Sequence, residues 1–184
     1  MKELKTNRKT RYTQMVLRDS LIELMKKKPI AKISITELCE NADINRTTFY
    51  THYTDQFDLL HKIEDETLSW LKEAMADLRG KTDKKETLQV IEEIFQYLVD
   101  NSRHLQVLMS EQGDIEFQKK LMAIIYQQSG MIPLLKADLV SKEFYFIFMV
   151  NGSVGLIQHW LKNGLNQSAK EMAEIIFNMA TPIL

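Results

Sequence analysis

One cysteine, three prolines and six glycines in 184 residues leave few ways to build this chain. Cys39 stands alone, so no intramolecular disulfide can form and the fold rests on its packed core. Scarce proline and glycine argue against disorder and against a turn-rich all-β fold, and no stretch alternates apolar with polar residues as a half-buried strand does. Long apolar runs are missing too. Phe144 to Val150 is apolar for seven residues, but Asn151, Ser153, Gln158 and His159 follow too soon for the roughly 20 residues of a membrane span. With no charged-then-apolar opening segment, the expectation is a cytoplasmic protein with no membrane partner.

Chemistry-bearing motifs are also scarce. There is no nucleophile elbow, no phosphate-cradling glycine loop and no metal-ligand cluster by spacing. His61, His104 and His159 show no i,i+4 pairing, so no metal site is expected, and the adjacent Glu92 and Glu93 point to different sides of a helix. Neither an enzyme nor a cofactor is expected.

What is present is helical patterning with an uneven charge. The net charge of −1 hides eleven cations against six acids in residues 1–54 and thirteen against nineteen in the rest, so the two parts face different partners. Residues 1–9 carry four cations without apolar periodicity and read as a mobile basic arm. From Thr10 a helix places Leu17, Leu21, Leu24 and Met25 on one face and stops before Pro29. Ser34 and Glu37 form a capping box that starts a helix at Ile35, which ends in the turn-prone Asn41-Ala42-Asp43-Ile44. Asn45 caps another helix, Arg46 to about Tyr53, in which only Phe49 is plainly core material.

Asp55 opens a long fourth helix carrying Leu60, Ile63, Leu68, Leu71, Met75 and Leu78, which Gly80 is placed to end. GKTDKK at 80–85 marks a composition break. Helices are then expected over about 86–101, 105–109 and 115–128, interrupted by Gly130-Met131-Ile132-Pro133. Ser141 is placed to cap a long helix to Leu161, and Ser168 with Glu171 forms a second capping box before the last one.

Two short helices joined by a three-residue turn, the second one polar, make a helix-turn-helix, whose second helix lies in the DNA major groove. Arg46 can donate two bonds to guanine, and threonine methyls can meet thymine methyls. Tyr50, His52, Tyr53 and Thr36 can reach phosphates, and Lys2, Lys5, Arg8, Lys9 and Arg11 can add salt-sensitive attraction.

TELCENADINRTTFYTHYTDQFDLL resembles the signature of the tetracycline-repressor-like (TetR/AcrR) bacterial transcription factors, whose recognition helix ends in Phe-Tyr-x-His-Phe/Tyr. The resemblance covers residues 10–70, and FMVNGSVGLIQHWLKNGLNQS, from Phe148 to Ser168, is similar to a C-terminal domain of one branch of that family. It implies an all-α fold with a helix-turn-helix domain over 1–54 (motif about 35–54), a linker helix over 55–80, and a larger ligand-binding and dimerisation domain over 81–184.

By position, the resemblance implies that Thr36, Arg46, Thr47, Thr48, Tyr50, Thr51, His52 and Tyr53 face DNA, over a core of Phe49, Leu38, Ala42 and Ile44. It also implies a homodimer built from the last two long helices, here assigned to Gly152, Gly155, Trp160, Ile175 and Met179. A cavity for an unknown small-molecule effector is assigned to Phe95, Met109, Phe117, Met122, Phe144 and Phe148. The function so implied is a ligand-responsive regulator, more often a repressor, on a near-palindromic operator. Asp43 replaces a common turn glycine, and Gln56 replaces a lysine that commonly meets a phosphate. Gln56 is the feature that supports a contrasting reading, a protein-interaction co-activator of the same fold with weak or lost DNA binding.

Overall fold

The chain is described from a computed structural model over residues 2–78, 81, 83–110, 113–127 and 139–180. Gly80, Gly130, Met131 and Pro133 lie outside the described residues, as do the side chains of Lys2, Lys5 and Ser141. Among the described residues every regular element is a helix, and none is long and apolar enough to cross a membrane.

The elements are α1 (Lys2–Met25), a 3-10 turn (Ile30–Lys32), α2 (Ile35–Ala42), α3 (Arg46–Tyr50) and α4 (Gln56–Leu78). They are followed by α5 (Lys84–Asp100), α6 (Ser102–Leu108), α7 (Ile115–Gln127), α8 (Leu139–Lys162) and α9 (Ala169–Ala180). Several differ from the sequence reading, α6 among them, which starts at Ser102. The basic arm is not separate: its backbone forms the first turns of α1, a continuation favoured by a stretch free of glycine and proline. Ser141 falls inside α8, which begins at Leu139.

Most starts and stops obey local chemistry. Asp83 Oδ1 accepts from the amides of Lys85 and Glu86 to begin α5. Ser168 and Glu171 close the expected reciprocal box, amide to carboxylate at 2.7 Å and amide to hydroxyl at 3.2 Å. Gly164, at φ +86°, ends α8, and the Leu165 amide reaches back to the Trp160 carbonyl at 3.1 Å. Between α6 and α7 the chain turns so tightly that a Cβ on Gly113 would stand 2.0 Å from the Leu108 carbonyl oxygen.

Among the described residues two buried clusters hold the helices together. The first joins Leu17, Leu21 and Met25 of α1 to Leu38 of α2, Phe49 of α3 and Leu59 and Ile63 of α4. Val107 and Leu108 of α6 and Phe117 of α7 belong to it as well, so the core crosses the composition break near residue 80 without interruption. The second joins Phe95 of α5, Trp160 of α8 and Met172 and Ala173 of α9. Trp70 of α4 stacks flat on Tyr97 of α5 with ring centroids 3.7 Å apart. α4 thus touches both halves.

Candidate nucleic-acid interface

Local bonding places α2 and α3 before any wider packing does. The Ser34 hydroxyl accepts from the Glu37 amide at 3.2 Å, starting α2 where the capping box puts it. The Glu37 carboxylate takes Lys28 Nζ at 2.6 Å, and that ammonium, with smaller help from the Ser34 amide, holds it below the usual carboxylate range. α2 ends as Asp43 enters the left-handed region at φ 52°, its role as a substitute for glycine, while the Ile44 amide reaches the Cys39 carbonyl at 3.0 Å. Asn45 then caps α3, accepting from the Thr47 amide at 2.8 Å.

α3 is held to the body by Phe49, which is fully buried. It ends earlier than the sequence suggests, because Thr51 folds its hydroxyl back onto the Thr48 carbonyl at 2.6 Å and the last turn tightens. Arg46, Thr47, Tyr50 and Thr51 are exposed together on this short helix and its cap, Thr36 is exposed on α2, and Thr48 and His52 are half-buried. Behind them, Ser20 of α1 donates to the Leu38 carbonyl and accepts from Asn41, each at 3.0 Å, fixing α2 to α1.

Tyr53 departs from the expected DNA-facing set. It is only 3% exposed, its ring tilted against Phe49 at 5.6 Å between centroids. Burial raises its hydroxyl above the ordinary tyrosine pKa, with the neighbouring Arg18 guanidinium pulling the other way. An aromatic ring has more to gain from this core than from water, so Tyr53 joins α3 to α1 and α4. Lys62, which the sequence reading passed over, finishes the junction. Its Nζ sits 4.8 Å from the Tyr53 ring centroid and donates to the His52 carbonyl at 2.9 Å and to Asp58 at 3.2 Å. Asp58 also accepts from the Thr54 amide at 2.9 Å, and its own amide donates to Asp55 at 2.8 Å, so the start of α4 is locked to the end of α3.

The six residues assigned to an effector cavity do not share a wall. Phe95 is buried in the second cluster and Phe117 in the first, because each lies on the inward face of its helix. Phe144 and Phe148 are 66% and 72% exposed on α8, and Met122 is half-buried on α7. Only Met109 lines the cleft found here, a space of about 840 Å³ between the end of α1, α6 and the end of α8. Its polar lining comes from Lys26, Gln106, Ser110, Gln158 and Lys162.

Similarity to known proteins matches this architecture. The TetR-type family model described as the transcriptional regulator C-terminal region matches residues 85–182, more than half of the chain. The chain belongs to the TetR family of transcriptional regulators. Its similarity to the uncharacterized HTH-type transcriptional regulator YxbF of Bacillus subtilis (strain 168) is 18% identity over 90% of this chain, which spans 44% of that relative's length. Among solved structures, a TetR transcriptional regulator from Streptococcus agalactiae 2603V superposes with a TM-score of 0.63 at 17% identity, over 98% of this chain and 99% of that one. The Bacillus subtilis regulator FadR, in complex with stearoyl-CoA, gives 0.59 at 18% over 92% and 99%.

In this TetR-family chain the residues assigned to a dimer interface divide. Trp160 is not on the surface: it is 3% exposed, edge-on to Phe95 at 5.4 Å, with its indole N–H donating to the Gln167 carbonyl at 3.1 Å. A buried indole needs such a partner, and the chain itself supplies it. Gly152 and Gly155 are exposed with open space beyond them, Met179 is 52% exposed, and Ile175 is half-buried. Cys39 is buried, and burial raises its thiol pKa, so it sits as a small apolar residue.

One grouping escaped the sequence reading. His61 has two carboxylate neighbours, Glu64 of α4 and Asp114 at the head of α7, with one ligand atom from each lying within 4.8 Å of the others. Burial, and then the charge of Asp114, push Glu64 up to about 7, against the opposing pull of Lys120. The signal was His61-Lys62-Ile63-Glu64: an i,i+3 pair with its acid on the apolar face of the helix.

Proposed function

We propose that this regulator binds a near-palindromic DNA operator as a homodimer and represses transcription until a small molecule occupies the cleft between α6 and α8. One observation carries the reading. Arg46, Thr47, Tyr50 and Thr51 stand in solvent on a helix whose single apolar residue, Phe49, is buried and whose flanking turns are locked by Asn45, Asp43 and Lys62. Such a surface is poorly explained by packing and well matched to base edges and phosphates.

Pairing of two copies falls to the uncovered face of α8. Phe144, Phe148, Gly152 and Gly155 recur at helical spacing along it, and the two phenylalanines leave a large apolar surface in water. The cleft combines Lys26 and Lys162 with the amides of Gln106 and Gln158, a lining suited to an anionic effector. Lys26 closes the same α1 that holds α2 and α3, so an occupant pressing on it bears on the DNA-reading end. Coupling between such sites typically amounts to about 1–3 kcal/mol. The functional division is then residues 1–54 for DNA, 55–80 as linker helix and 81–184 for effector and pairing, in the cytoplasm.

The purified protein should retard a near-palindromic fragment from beside its own gene in a gel-shift titration. Arg46→Ala should weaken that binding by about 1–3 kcal/mol, with the thermal midpoint unchanged because Arg46 is exposed. Equal affinity for the fragment and for random DNA at physiological salt would sink the reading.

A further inference from the structure

Glu64 is the one carboxylate among the described residues that leaves a buried oxygen without a hydrogen bond. It is 4% exposed, and its Oε1 has no hydrogen-bond partner among the described residues. Leaving such a group unmet in a core is costly, and the usual remedies are a cation or a bound proton. Around it stand His61, one turn earlier on α4, and Asp114, which enters from α7. Asp65 and Lys120 are the other charges that act on it.

The placement of Asp114 is built rather than incidental. The Gly113 turn brings the chain so close to the end of α6 that no side chain fits there. Asp114 is then fixed as the cap of α7, its Oδ1 accepting from the Glu116 amide at 2.8 Å and its carbonyl from the Gln118 amide at 3.2 Å. Phe117, just beyond, is buried in the first cluster together with Leu60 and Ile63 of α4, so the two helices are held in register on either side of the group.

We propose that His61, Glu64 and Asp114 form a binding site for a first-row divalent metal ion, zinc in preference to magnesium or calcium. One imidazole nitrogen with two carboxylates is a borderline donor set; magnesium and calcium favour oxygen alone. At metal–ligand distances of about 2.1 Å the ligand atoms of a tetrahedral zinc site lie about 3.4 Å apart. The separations of up to 4.8 Å therefore have to close. The exposed His61 ring supplies that movement, since it is the member of the three with the most room. Three protein ligands leave a fourth position open to water or to an effector group. A metal held there clamps α4, which follows α3 after a short turn, to α7.

The test is a calorimetric titration of metal-free full-length protein with zinc chloride, with magnesium chloride as control, followed by thermal unfolding with and without zinc. The expected result is one zinc ion per chain, no comparable uptake of magnesium, and a zinc-dependent rise in the unfolding midpoint. His61→Gln should leave the metal-free protein folded, because His61 is exposed. Asp114→Asn should do so because asparagine keeps the helix cap. Each should weaken zinc binding at least about tenfold, and Glu64→Gln should do the same. Lys120→Ala should tighten binding by removing a competing cation. No uptake of zinc at micromolar concentration overturns the proposal. Zinc binding that survives unchanged in His61→Gln and Asp114→Asn overturns it too, since His52, His104 and His159 would then be the adventitious ligands.

Discussion

Phe49 and Tyr53 show how two aromatic residues four positions apart decide what the polar ones around them can do. Both rings are buried, at 0% and 3% exposure, and their contact pins α3 from its inner side. The consequence is that Arg46, Thr47, Tyr50 and Thr51 are turned outward. Phe49→Ala removes a fully enclosed ring and is expected to cost about 3–5 kcal/mol, readable as a lower denaturant midpoint. A loss under about 1 kcal/mol would mean that α3 is held by something else. Asp43→Ala is a milder test at the same scale. It places a residue with no compensating side-chain bond at φ 52°, and its expected cost is about 1 kcal/mol. Both positions were legible in the sequence, Phe49 because it is the lone apolar residue between polar neighbours. Tyr53 was not, since a tyrosine suits a phosphate contact and a core equally well and only the surrounding helices choose.

At the scale of single elements, carboxylates secure the helix starts. Glu37, Asp58 and Glu171 each accept from backbone amides or a nearby lysine, and each is held below its ordinary value of 4.5, 3.8 and 4.5 respectively. A carboxylate with a depressed folded pKa contributes stability that is complete above its unfolded pKa and is lost as the pH falls through the folded one. Glu64, raised to about 7, works the other way between about pH 7 and 4.5, so the loss belongs to the more acid range: lowering the pH from about 4.5 toward 3 should reduce the unfolding midpoint. Glu171→Gln should flatten that dependence, because a glutamine can cap the helix but does not titrate; an identical acid slope in that variant would count against the assignment. Caps were readable in advance because they involve residues within four positions of each other. The helical arm differed because helix propensity carries the backbone of α1 past the place where apolar periodicity stops, and α8 because its sequence offers two cap residue types, Asp138 directly before Leu139 as well as Ser141.

For the whole molecule the question is what covers α8. Phe148 is 72% exposed, so Phe148→Glu removes no buried contact within the chain and should leave it folded. If two copies pair through this face, the variant should elute as a monomer in size-exclusion chromatography with light scattering and should lose operator affinity, since a single head meets only one half-site. A dimer that persists in the variant would place the interface elsewhere. The same residue shows the limit of periodicity. Phe144 and Phe148 recur as a helical apolar face should, and Phe95 in α5 and Phe117 in α7 each belong to such a repeat, yet the first two face out and the other two in.

Sequence alone determined the helices, their caps, the turn with its left-handed Asp43 and the polar character of α3, because each rests on bonds between near neighbours in the chain. Tertiary structure decided which partner each apolar face meets. Trp160 closes a core instead of an interface, Phe117 joins the core beneath α2 and α3, and Met109 alone of six expected residues lines the cleft. It also set Asp114 beside His61 and Glu64. Hydrophobic burial is non-directional, so a repeat of 3.6 residues says that a face will be covered without saying by what.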